Sequence, residues 1–195
     1  MKVKKVMEFI SNVIALATII FLAMYFVVKI YFNLKGQEIV IAKSKEHTPF
    51  KIESRDEKSM TISTVMDLVN EGKQSALIVD CIVKPQLPFE QYDGIAVRGK
   101  AEVEGVPRED DYFEAMVLFA KGDPHGSNVI KIKAIVNLTA RKGMSLNEAL
   151  SHMVDFPIEI IYREVGRTPM HFSIARIILT AEELTQLAGV KLIKN

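Results

Sequence analysis

The stretch Val129–Ala140 reads VIKIKAIVNLTA, and its spacing decides the fold. Ile130, Ile132, Ala134, Val136 and Leu138 fall on one parity, and Lys131, Lys133, Asn137 and Thr139 on the other. Side chains of a strand alternate between its two faces, so this stretch reads as a strand with one face on a core and one in water. Gly94 to Val106 repeats the pattern, with Ile95, Val97, Ala101 and Val103 set against Arg98, Lys100, Glu102 and Glu104. Between the two, Tyr112 to Ala120 is apolar on both faces and reads as a central strand. Pro107–Asp111 and Gly122–Ser127 have the composition of hairpin loops. Together the three segments predict an antiparallel meander.

Further strands are expected at Ala76–Val83, Ile158–Val165 and Met170–Thr180, with a short hairpin made from Glu38–Ala42 and Phe50–Glu53. Helices are marked by capping boxes. Ser145-Leu146-Asn147-Glu148 and Thr180-Ala181-Glu182-Glu183 each place a Glu three residues after a hydroxyl. They predict helices near 146–154 and 181–188, the second ended by Gly189. A third helix near 63–71 would turn Val65, Leu68 and Val69 inward and stop at Gly72. The fold class is α+β: a mainly antiparallel sheet with about three short helices.

Working outward to the N-terminus, Phe9–Val28 is FISNVIALATIIFLAMYFVV, without one ionisable side chain. As a helix those residues span roughly 30 Å, the thickness of a bilayer's hydrocarbon core. The chain therefore divides into a basic tail at 1–8, a transmembrane signal-anchor helix at 9–32, a linker at 33–37 and a globular domain at 38–195. Lys29, Tyr31, Phe32 and Lys35 are the expected membrane-interface residues. The apolar run is too long for a cleaved signal peptide, and Lys29-Ile30-Tyr31-Phe32 is too bulky to be a cleavage site. Translocating Lys2, Lys4, Lys5 and the α-amino group is costly, so the N-terminus belongs in the cytoplasm and the domain outside, in the cell envelope. Ser11, Ala15 and Ala23 share one helical face and leave room for a homo-oligomer.

Composition narrows the function classes. The chain has 195 residues, 25 Lys+Arg against 24 Asp+Glu, and one cysteine. Charge balance speaks against a nucleic-acid partner, and a lone Cys81 excludes a disulfide framework or a Cys-rich zinc site. His47, His125, His152 and His171 show no His-x-x-x-His or His-x-His spacing, so no metal or other cofactor is expected. Gly72-Lys73 is followed by Gln74 and makes no phosphate loop.

Chemistry rests on one odd pair, Asp80-Cys81, an acid and a thiol inside an apolar strand. In an edge strand Asp80 would sit in water and Cys81 in the core. As a site, Asp80 would be a base or Cys81 a nucleophile, helped by His152 or His171 from elsewhere in the chain.

The sequence thus points to a non-enzymatic, single-pass membrane protein whose outer domain binds other membrane or envelope proteins, with the lipid bilayer as a further partner. The alternatives are a membrane-proximal carrier of a lipid or other apolar ligand, and a hydrolase or thiol enzyme using Asp80 and Cys81. A direct expectation is that the chain resists alkaline carbonate extraction, whereas a variant lacking residues 1–35 is released into the supernatant. Fractionation followed by immunoblotting checks it.

Overall fold

The computed structural model describes residues 2–193, with side chains described for Met7 and from Phe9 onward. The chain divides into two compact units, Met1–Gln37 and Glu38–Asn195. The first is a single helix, α1 (Lys2–Lys35), whose stretch Phe9–Lys35 is long and apolar enough to cross a membrane. Helical structure therefore takes in both the expected basic tail and the start of the expected linker. Met1 and the side chains of Lys2, Lys4 and Lys5 lie outside the described residues.

The second unit is a β-sandwich. Its strands are β1 (Val40–Ala42), β2 (Lys51–Arg55), β3 (Ser59–Asn70), β4 (Ala76–Pro85), β5 (Ile95–Val103), β6 (Tyr112–Leu118), β7 (Val129–Ala140), β8 (Phe156–Val165) and β9 (His171–Leu179). A 3₁₀ turn (Ser44–Glu46) and the helices α2 (Leu146–Ser151) and α3 (Ala181–Ala188) complete it. One sheet, A, runs β1-β3-β7-β5, with β2 also on β3; the other, B, runs β6-β4-β8-β9. All the pairings are antiparallel. The architecture is mixed α+β.

The β7 alternation holds as read: Ile130, Ile132, Ala134, Val136 and Leu138 are all buried against the opposite sheet. The two capping boxes also form. Ser145 Oγ accepts from the Glu148 amide at 3.2 Å and Thr180 Oγ1 from the Glu183 amide at 3.1 Å. Gly189 closes α3 in the left-handed conformation at φ 65°.

Other expectations give way to the sandwich. Residues 63–71 are not a helix but most of β3, where Met60, Ile62, Met66 and Leu68 face inward at period two. Val65, Leu68 and Val69 fit helical spacing, but the longer alternating run that contains them wins. The meander is not formed either. β5 and β7 are neighbours, while β6 crosses to the other sheet, where it is an edge strand rather than a central one. The segments around β1 and β2 do not pair with each other; each adds to β3.

The crossing from one sheet to the other explains Gly99. A Cβ at that position of β5 would collide with the Val83 carbonyl and the Pro85 ring of β4. Only glycine lets the two sheets meet so closely at this corner. Gly99→Ala is expected to cost about 1–3 kcal/mol, the usual penalty of forcing atoms into a filled core. A urea unfolding midpoint measured on the detergent-solubilised chain checks it.

Candidate functional site

The two outer faces of the sandwich differ in kind. Sheet A carries charged and polar side chains that answer one another. Glu53 accepts from Ser63 Oγ at 2.6 Å and pairs with Lys133 at 2.9 Å and Lys51 at 3.3 Å. Lys131 pairs with Glu104 at 3.3 Å, and Lys100 with Glu102 at 3.1 Å. Asn137 Nδ2 donates to Thr61 Oγ1 at 3.0 Å.

Sheet B is apolar on its outer face. The register aligns Tyr112, Ile82, Ile161 and Ile174 in one row across all four strands. The next row is Ala115, Val79, Arg163 and Phe172, and beyond it lie Val117, Leu77 and Val165. Ile82 is 40% exposed, Val117 44%, Ile174 59% and Phe172 69%. These side chains form a contiguous apolar patch on the outer face of sheet B.

Charged side chains share that face: Lys84, Glu159 and Arg176 form a further row, and two ion pairs lie within the face. Arg176 Nη2 lies 2.7 Å from Glu159 Oε1, and Gln86 Nε2 donates to Glu159 Oε2 at 3.1 Å. Arg163 is ion-paired with Asp80, and its guanidinium stands 5.9 Å from the centre of the Phe172 ring.

Asp80 reaches this face through a β-bulge. β4 is an inner strand, between β6 and β8, and not the edge strand read from the sequence. Its register against β8 slips between Val79 and Ile82, and Asp80 takes a positive φ of 49°. Ala76 and Ile78 face the core before the slip, and Cys81 and Val83 after it. Strict alternation from Ile78 would drive the Asp80 carboxylate into the core, where desolvation penalises a charge heavily. The extra residue resets the phase, so Asp80 emerges beside Arg163 and Cys81 turns inward. Burial pushes the Cys81 thiol up to about 12, so at neutral pH it is a protonated core side chain and no nucleophile.

The two histidines are not brought to this pair. His152 is the C-terminal cap of α2, just before β8 begins, and His171 faces Glu164 near the other end of β8. His171 Nε2 is 3.6 Å from Glu164 Oε2, and the Ser173 hydroxyl donates to the same carboxylate. A serine, a histidine and a carboxylate thus lie together, but the carboxylate stands between the other two. No imidazole is placed to take the hydroxyl proton, as nucleophilic catalysis requires. Among the described residues, no group of three or more His, Cys, Asp or Glu side chains could hold a metal ion.

A groove of about 680 Å³ opens between the β2–β3 turn and the start of α2, lined by residues such as Arg55, Glu57, Lys58 and Met144. Arg55 crosses it, donating to the Ala188 carbonyl and to Asn147 Oδ1, both at 2.6 Å. Its charged lining does not suit a lipid chain. On α1, Lys29 Nζ is 5.9 Å from the Tyr25 ring centre, and the Tyr31 and Phe32 rings meet edge-on at 5.8 Å. Lys35 is the last residue of α1.

No protein-family profile matches the chain, and no curated protein is similar to it in sequence. Among solved structures it is similar to the GAE domain of GGA2p from Saccharomyces cerevisiae, with 8% identity over 74% of this chain and 98% of that one and a TM-score of 0.31. It is also similar to the yeast GGA1 GAE domain, with 9% identity over 67% of this chain and 97% of that one and a TM-score of 0.28.

On the polar face, Glu53 gives a pH test. The Ser63 hydroxyl and the Lys133 ammonium hold its carboxyl at about 2, against an ordinary 4.5. A depressed folded value means the contribution is fully present above the ordinary value and lost as pH falls from there toward 2. The stability gap between wild type and Glu53→Gln should therefore be constant above about pH 5.5 and shrink below it. Thermal melts across an acid pH series check it.

Proposed function

We propose that this protein is a single-pass, membrane-anchored, non-enzymatic interaction module whose outer sheet B face docks another envelope protein. The observation that carries the reading is the asymmetry of the sandwich. One outer face carries several ion pairs among its strands; the other presents exposed Ile82, Ile174, Phe172 and Val117 with two ion pairs beside them. A face of that composition gains by being covered. Cys81, buried in the core, and His152 and His171, which stand apart from it, give no comparable support to catalysis, and the charged groove gives none to lipid transport.

In this reading α1 spans the bilayer as an uncleaved anchor, with Lys29, Tyr31, Phe32 and Lys35 at its interface. The N-terminus is cytoplasmic, and residues 38–195 form the extracytoplasmic domain.

Two experiments test the proposal. A Lys58→Cys variant, substituted at an exposed turn position, should react with an impermeant maleimide in intact cells, while wild type stays unlabelled because Cys81 is buried. Labelling only after lysis would overturn the orientation. A photo-crosslinking residue at Ile174 should give a discrete adduct with one membrane or envelope protein, several-fold stronger than the same residue at Ala96 on sheet A. An Ile161→Asp substitution should abolish that adduct. Equal, diffuse crosslinking from the two faces would overturn the docking site.

A further inference from the structure

Three connections of the domain lie at the end where residue 38 enters it. The register places Val40 opposite Asn70, Val69 opposite Val129, Ala76 opposite Leu118, and Glu164 opposite His171. The β3–β4, β6–β7 and β8–β9 connections are therefore gathered together there.

Two buried polar residues fasten the incoming chain to them. Asn70 is fully buried and uses its whole amide: Oδ1 accepts from the Ile39 amide at 3.1 Å and the Gly72 amide at 2.9 Å. Its Nδ2 donates to the Gln74 carbonyl at 2.8 Å and the Leu118 carbonyl at 3.2 Å. The Glu38 carboxylate accepts from the amides of Arg167 at 3.1 Å and Thr168 at 2.8 Å, and from the Thr168 hydroxyl. A Cβ on Gly166 would collide with that carboxylate. The β8–β9 connection is thereby locked to residue 38, and only Gly36 and Gln37 separate residue 38 from the last residue of α1. An extended link of that length spans about 10 Å.

The side chains presented at this end suit one surface. Lys73, Lys121 and Arg167 are exposed, one on each connection; the acids on these connections are exposed Glu71 and half-buried Asp123, and the nearby exposed Glu104 is paired with Lys131. Two large apolar side chains stand among them, Ile39 at 54% and Met170 at 58% exposure. Cations interspersed with apolar side chains are what an anionic headgroup layer takes up.

We infer that this end of the domain, through Lys73, Lys121, Arg167, Met170 and Ile39, rests on the anionic phospholipid surface of the membrane that α1 spans. The inference rests on the anchor reading above.

The test uses the full chain reconstituted in vesicles, with an environment-sensitive fluorophore on Met170→Cys or on Lys58→Cys, at the opposite end of the domain. Nitroxide-bearing lipids report contact. In phosphatidylcholine vesicles containing phosphatidylglycerol, quenching at 170 should exceed that at 58 several-fold. It should fall several-fold in pure phosphatidylcholine, in about 1 M salt, where charges more than a few ångströms apart are screened, and on combining Lys73→Glu, Lys121→Glu and Arg167→Glu. Equal quenching at the two positions in a chain that floats with its vesicles overturns the inference and leaves the anchor intact. Quenching at 170 that ignores lipid charge and salt also overturns it. A chain that fails to float overturns the anchor itself.

Discussion

The extra residue in β4 is the constraint on which sheet B depends. Without it, the strand that carries Ala76, Ile78, Cys81 and Val83 could not keep all four in the core. With it, one non-glycine residue accepts a left-handed backbone at φ 49°. Such a conformation costs on the order of 1 kcal/mol or more, and burying an unpaired carboxylate would cost several times that. The cheaper alternative is the one adopted. The Asp80–Arg163 pair that results holds the guanidinium beside Phe172, so the bulge also arranges the outer face.

That chain of cause was half legible in the sequence. Asp80-Cys81 stood out as an acid and a thiol in an apolar run, and their opposite placement could be anticipated from alternation. The mechanism could not, because alternation from Ile78 assigns the two residues to the wrong faces. A bulge leaves no periodic signal of its own; it is fixed by the energy of the whole sheet. β7, α2 and α3 were readable because their signals are local: a period of two in a half-wet strand, and a hydroxyl answered by a Glu three residues on.

β3 was misread for the converse reason. Its outer side carries Val65 and Val69, and its inner side Met66 and Leu68, so a helical stripe can be drawn through a two-sided apolar strand. Pairing partners were similarly hidden. Consecutive strands often pair, but β6 leaves for the other sheet although β5 and β7, which flank it in sequence, are neighbours. The apolar face of sheet B was invisible for a related reason: strands apolar on both sides do not say which side the core takes.

The polar anchoring points complete the picture. Asn70 and Glu38 are buried, and every hydrogen-bonding position on the Asn70 amide is filled. Burial pushes the Glu38 carboxyl up, but the Thr168 hydroxyl and the surrounding amides more than offset it and leave it below its ordinary value. A carboxylate stabilised in this way keeps its bonds to the β8–β9 connection throughout the neutral range. Buried polar groups of this kind contribute less to net stability than to fixing one geometry, because each alternative arrangement strands a donor or an acceptor. What they fix here is the direction in which the chain leaves the sandwich. Through Asn70 and Glu38, residues 38 and 39 are held to both sheets at once, so neither sheet can shift against the other without stranding one of these groups.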